Sequence, residues 1–478
     1  MKKILFGLFS IAMFSFSSCI KVNFEETINN TTGGGTVGSD PQDPAKNGGI
    51  IQGILNKSYF LPKGKYTLKG YVYITDGNTL TIAPGSVVVS DITEKGALII
   101  ERGAKLIADG RATDPIVFTS GKAIGQRTPG DWGGIILLGK APTNRPQDPA
   151  PTVEGGVGRK YGGTDANDES GILRYVRIEF AGLAFEPNKE VNSLTMGSVG
   201  SKTEIEAVQC SFGNDDAFEW FGGTVNCKKL IAYKTTDDDF DTDFGYRGAV
   251  QFGIAVRDTA YFDLSWNATS GASTSETFES DNDAAGSGKS PLTSALFSNI
   301  TCVGPIPLDK TYNDLTATQK GAFRRGARIR RNSRLSIVNS VFMGYRNFIM
   351  FDGDSVLVAS GVKSGAFSET SNVLRNNFIA NTSAASAAGV TNTGLAEVDS
   401  KNTPAAMDGW LRDVKNGNKI DDANYATGAI LVDPKNATTP DFRPVASSKI
   451  NTLANYDAAI FTKLGKFSSV NTLGDVVM

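Results

Sequence analysis

The stretch NDDAFEWFGG (214–223) returns twenty-two residues later as TDDDFDTDFGYRG (236–248). A unit this short has no room to bury an apolar face against itself, so copies of it must stack on one another to make a shared core. A further copy extends the alignment. Phe218, Phe240 and Phe262 fall in one column, Val208, Leu230 and Phe252 in a second, and Cys210, Ala232 and Ile254 in a third. Counted by twos along a strand, these positions share a face. The period suits one coil of a parallel β-helix, each coil lying about 4.8 Å above the last, and the Phe column reads as an interior aromatic ladder.

The same texture extends in both directions. TLTIAPGSVVV (79–89) aligns with ALIIERGAKLI (97–107) at an offset of eighteen, matching Leu80 with Leu98, Ile82 with Ile100, Gly85 with Gly103 and Val88 with Leu106. FSNITCV, IVNSVFMG and RNNFIANT each set Asn beside an apolar strand, which predicts Asn side chains hydrogen-bonding between adjacent coils. The 53 glycines serve tight turns between short strands. Helix-like MDGWLRDVKNG (407–417) and the irregular sequence after it are expected to cap the open end of the stack.

Composition narrows the chemistry. The chain has no histidine, which removes Ser-His and Cys-His nucleophile pairs, His-ligated zinc and an imidazole base. Acid-base work would fall to carboxylates, Lys, Arg or Tyr. Lys and Arg (48) nearly balance Asp and Glu (50), which argues against a dedicated nucleic-acid binder. Cys210, Cys227 and Cys302 are odd in number and read as small buried hydrophobes on strands.

Residues 1–18 have a basic start and an apolar run from Ile4 to Phe14, the pattern of a secretory signal too short to span a bilayer. Cys19 follows Phe16-Ser17-Ser18 and resembles the acceptor of a bacterial lipobox, with Phe16 and Ser18 departing from its usual form. The expected result is a lipid-anchored chain whose residues 19–49 form a flexible tether.

If the Phe column points inward, Glu219, Asp241 and Asp263 form an outward acidic column, with Asp215 over Asp237 and Asp216 over Asp238. Asp237, Asp239, Asp241 and Asp243 would face one way along a strand. Hard oxygen donors at this density suit Ca²⁺, and Asp237, Asp238, Asp239, Asp241 and Asp243 are the candidate ligands. The Asp239-Phe-Asp241-Thr-Asp243 run starts like an EF-hand loop. Gly245 at the seventh position and Val250 at the twelfth exclude that motif. FRRGARIRRNSR (323–334) is the second charged cluster. Arg328 and Arg330 in it are candidates either to grip a polyanion or to pair with an acidic flank.

DWGG (131–134), the two acidic-aromatic phrases and the coil pattern resemble the pectin-lyase-like right-handed β-helix lipoproteins of Bacteroidetes-type bacteria, over most of residues 70–390. The resemblance implies an all-β, single-stranded right-handed parallel β-helix over 50–390, followed by a cap region over 391–478. It also implies an outer-membrane, cell-surface setting. Two functions remain open. The leading one is a non-catalytic module that binds a glycan or an outer-membrane protein complex, through Glu219, Asp263, Arg328 and Arg330. The other is a Ca²⁺-dependent lyase of acidic polysaccharide, with Lys234 or Arg247 as base. A hydrolase using Asp216 and Asp238 as its carboxylate pair is the less favoured enzyme.

Overall fold

The computed structural model describes residues 42–183, 191–264, 274–307, 310, 312–353, 355–356, 374–380, 396–398, 409–421, 430–448 and 450. The expectations for the signal segment, for Cys19 and for the tether up to residue 41 lie outside these residues. Almost every strand is paired in parallel with the strand one coil away. The chain winds as a right-handed parallel β-helix whose coils contribute to three ladders. The first ladder runs through Tyr59–Leu61, Thr79–Ile82 and Lys105–Asp109. The second runs through Val87–Ser90, Ile116–Thr119 and Val341–Met343. The third runs through Ala97–Ile100, Gly134–Leu138, Leu194–Gly197, Phe218–Phe221, Phe240–Asp243, Phe278–Ser280, Arg325–Arg330 and Asn347–Asp352. Longer strands such as Gly171–Glu179 and Leu296–Val303 serve the first and second ladders in turn.

The corner between the first two ladders is a single residue with left-handed backbone. Tyr175, Ala207, Lys229, Phe252, Asn299, Asn339 and Asn376 occupy it in successive coils. Asn tolerates this conformation best of the non-glycine residues, which accounts for the Asn seen beside three strands. The hydrogen bonding expected between coils is made in RNNFIANT by its second Asn. Asn377 accepts from the amide of Ser340 and donates to the carbonyl of Ile337, and Asn418 accepts from the amide of Asn377. The bonds thus reach from side chain to the backbone of the next coil.

The interior aromatic ladder is present, with one member changed. Phe218, Phe240 and Phe278 are stacked in register and fully buried, with centroids 5.7 and 5.4 Å apart. Phe262 lies instead on a loop and packs edge-on against Phe323. The twenty-two-residue period holds from Val208 to Leu230 and from Cys210 to Ala232, then lengthens. Leu230 pairs with Gly253 and Ala232 with Ala255, one residue beyond Phe252 and Ile254. The eighteen-residue alignment is not a stacking relation. Leu80 pairs with Leu106, whereas Leu98 pairs with Val72 and Ile135. The two segments are strand-corner-strand units on different sides of the coil, and Gly85 and Gly103 share only a positive φ. Replacing Phe240 by Ala opens a hole between four rings and should cost about 3–5 kcal/mol in denaturant unfolding. A loss under about 1 kcal/mol would contradict a close-packed ladder.

Cys210, Cys227 and Cys302 are buried free thiols. At the far end, Trp410 and Ile420 pack on the core, Trp410 edge-on to Phe351, and Leu411 is fully buried. Ladder pairing continues past residue 390, through Ala396–Val398 and Lys419–Asp421. A hairpin of Leu431–Asp433 and Asp441–Pro444 lays Ile430, Leu431 and Phe442 over the outer side of the second ladder. On the third ladder, Val153, Val157 and Tyr161 roof the apolar outer residues Ile99, Ile136 and Leu138. No helix among the described residues is long and apolar enough to cross a membrane.

Candidate functional site

Beyond that apolar roof the outer side of the third ladder becomes acidic, and then basic. Its outward column reads Thr195, Glu219, Asp241, Glu279, Arg328, Met350 in consecutive coils. Strand alternation creates it: Phe218, Phe240 and Phe278 turn inward, so the next residue in each coil turns outward. Glu279 therefore stands where sequence reading put Asp263. Asp263 lies on the loop after the second ladder, where its amide donates to Ser275 Oγ (3.2 Å). Thirty-eight residues separate Phe240 from Phe278, against twenty-two between Phe218 and Phe240, and FESD (278–281) supplies the strand in place of FDLS.

A second acidic line runs just before the strands. The amide of Asp238 donates to Asp216 Oδ1 (2.8 Å), and the amide of Glu276 donates to Asp238 Oδ1 (2.6 Å). The two lines converge. Oxygens of Asp216, Glu219 and Asp241 lie within 4.8 Å of one another, as do those of Asp238, Glu276 and Glu279, and those of Asp215, Asp216 and Asp237. Asp216, Glu219, Asp238 and Glu276 are buried. Asp241 Oδ1 and Glu276 Oε2 are buried with no hydrogen-bond partner.

Burial first, and neighbouring carboxylates second, push Asp216, Glu219, Asp238 and Asp241 far above the ordinary carboxylate range. Asp281 is pushed up to about 6 by burial and then by Glu279, against the pull of Arg330 and Arg331. A cluster in this state either holds protons or neutralises itself with a cation. Its donors are all hard oxygens, and two of them are buried and unpartnered. That set fits a hard divalent ion such as Ca²⁺.

The five candidate ligands are not equivalent. Asp237, Asp238 and Asp241 belong to the clusters. Asp243 lies on the same outer side, and its Oδ1 accepts from the amide of Phe244 (2.6 Å). Asp239 does not face the same way as the others. The chain bends at 238–240, and Asp239 turns inside to meet fully buried Arg257 (3.0 Å), Thr235 and Thr277. Arg257 also donates to the carbonyls of Asp237 and Glu276, tying together the two coils that carry most of the carboxylates.

The arginine coil closes the face. Arg325 lies 2.8 Å from Glu276 Oε1. Arg330 bonds Asp281 (2.7 Å) and Glu279. Arg328 reaches Asp352 (2.7 Å) and, at 3.5 Å, Glu279. Arg328 and Arg330 are thus paired with an acidic flank, one of the two roles open to them. Lys234 and Arg247 are not brought together. Lys234 sits at the corner after the second ladder, paired with Asp258 at 2.9 Å. Arg247 is exposed after the third ladder, beside a cavity lined by Pro291, Leu292 and Arg334 and by none of the clustered carboxylates. Glu276, Glu279, Asp281 and Arg325 were missed as site residues. The signal was available, because FESD repeats the aromatic-acid-hydroxyl-acid order of FDTD (240–243).

A long parallel β-helix with a charged face along one ladder sets the class of fold and leaves the activity to the site. The chain belongs to the pectate-lyase-like beta helix domain family, whose model matches residues 53–428. Neither the curated proteins nor the solved structures compared with it include a match.

Proposed function

We propose that the acidic face binds Ca²⁺ and, through the ion and its arginine border, an acidic polysaccharide, without cleaving it. The observation that carries this reading is the pair of buried, unpartnered oxygens on Asp241 and Glu276, each within a carboxylate cluster. A cation held there would offer open coordination positions to a uronate carboxylate. Binding is favoured over lyase chemistry because a base must be free to take a proton. The arginines beside the clusters are held by carboxylates, Arg325 by Glu276 and Arg328 and Arg330 by two each. The protein would work at the cell surface, anchored to the outer membrane through a lipid on Cys19, and an outer-membrane protein complex is a natural neighbour. Mass spectrometry of the mature N-terminus tests the anchor.

The binding test uses polygalacturonate and alginate columns, with Ca²⁺ or with chelator. Retention that needs Ca²⁺, with no unsaturated product absorbing in the ultraviolet, is the expected result. Product formation would replace the binder with a lyase, and equal retention in chelator would remove the cation from the account.

A further inference from the structure

On the opposite side of the coil from the acidic face, where the first ladder turns into the second, the surface holds a separate cavity of about 540 Å³. Its floor is one outward column of the first ladder, in which Phe60 pairs with Thr81 and Thr81 with Ile107. Phe60 is 59% exposed, an unusual state for a ring held rigidly on a strand. The far wall is built by corners of successive coils, among them Pro84, Arg111 and half-buried Tyr175. Arg174 and Asp109, paired at 2.7 Å, reach into it and remain 30% and 44% exposed. Arg174 also bonds Glu204 (2.5 Å), so that with Arg111 the border carries two cations and two carboxylates.

We infer that this cavity is a second saccharide subsite, independent of any cation, which takes an extended neutral polysaccharide chain. A pyranose ring has an apolar C–H face and a rim of hydroxyls. The floor offers an aromatic ring and aliphatic surface for the first, and the Arg174–Asp109 pair offers a donor and an acceptor side by side for the second. Repetition supports the match. Consecutive coils recur every ~4.8 Å, close to the rise of one sugar unit in an extended chain, so neighbouring corners present themselves to neighbouring units. A neutral chain suits the balanced wall better than a polyanion, which would crowd Asp109.

The test is affinity electrophoresis of the protein, in chelator, through gels containing hydroxyethylcellulose, glucomannan or xylan. Wild type should be retarded by at least one of them. Phe60→Ala should weaken retardation about tenfold or more, the scale of losing a central aromatic contact. Tyr175→Asn, chosen because Asn accepts the left-handed backbone, should weaken it as well. Both variants should keep the wild-type melting temperature and wild-type retention on polygalacturonate with Ca²⁺, which separates this subsite from the acidic face. Absence of retardation on all three polymers overturns the inference, as does retardation unchanged in both variants.

Discussion

With Asp241 and Glu276 both changed to their amides, the protein should lose its response to Ca²⁺. Two unit charges about 4 Å apart interact by on the order of 4 kcal/mol at the effective dielectric constant of a protein site. Removing one carboxylate from each of these two clusters should therefore weaken Ca²⁺ binding by a hundredfold or more. Wild type in Ca²⁺ at about a hundred times its Kd should gain about 2.7 kcal/mol of stability, and the double amide almost none. The pH dependence carries the same signature. The clustered carboxylates are raised in the folded state, so above pH ~4 the folded protein holds protons that the unfolded chain has released. In chelator its stability should therefore fall as pH rises, with the share due to Asp281 lost by about 6. Ca²⁺ should flatten that slope and the amides should make it shallower. Equal Ca²⁺ shifts in thermal unfolding of the two proteins would sink the assignment.

The second large effect is expected at Arg257, which no ligand need touch. Arg257→Met leaves Asp239 charged, fully buried and without its cation. Breaking a buried pair from one side costs roughly 3–5 kcal/mol. The carbonyls of Asp237 and Glu276 lose their shared donor as well. Hydrogen exchange should accelerate over residues 235–243 and 274–283, and Ca²⁺ affinity should drop because those coils carry the clusters. Adding Asp239→Asn should recover much of the loss, since one of Thr235 and Thr277 can still donate to the amide oxygen while the hydroxyl of the other turns to accept from the amide nitrogen. A double variant no more stable than Arg257→Met would show that the charge pair is not the cause.

The coil architecture was legible because stacking imposes a period on the apolar residues, and Phe218 and Phe240 displayed it directly. The third member of the column was not, because a period read from two copies cannot anticipate a longer corner. Phe262 satisfied the arithmetic, while Phe278 satisfied the packing. Alternation within a strand correctly turned Glu219 and Asp241 outward. It failed at Asp239, where the bend before Phe240 lets a second side chain inside, and only Arg257, in the next coil, makes that affordable. The pairing of Arg328 and Arg330 rests on Glu279, Asp281 and Asp352, which lie far from them in sequence, and charge composition alone has no register.

The longer corner before Phe278 separates two kinds of change open to this lineage. Asp241 and Glu279 are adjacent across the ladder although thirty-eight residues separate them, and Glu219 and Asp241 are equally adjacent across twenty-two. The acidic face is therefore indifferent to how much chain departs and returns between coils. Loops at the rim can lengthen, shorten or be exchanged wholesale while the clustered carboxylates stay where they are. If the face binds a polymer as proposed, selectivity for one polymer over another can drift quickly in such a scaffold, and a grafted rim is a practical way to redirect it.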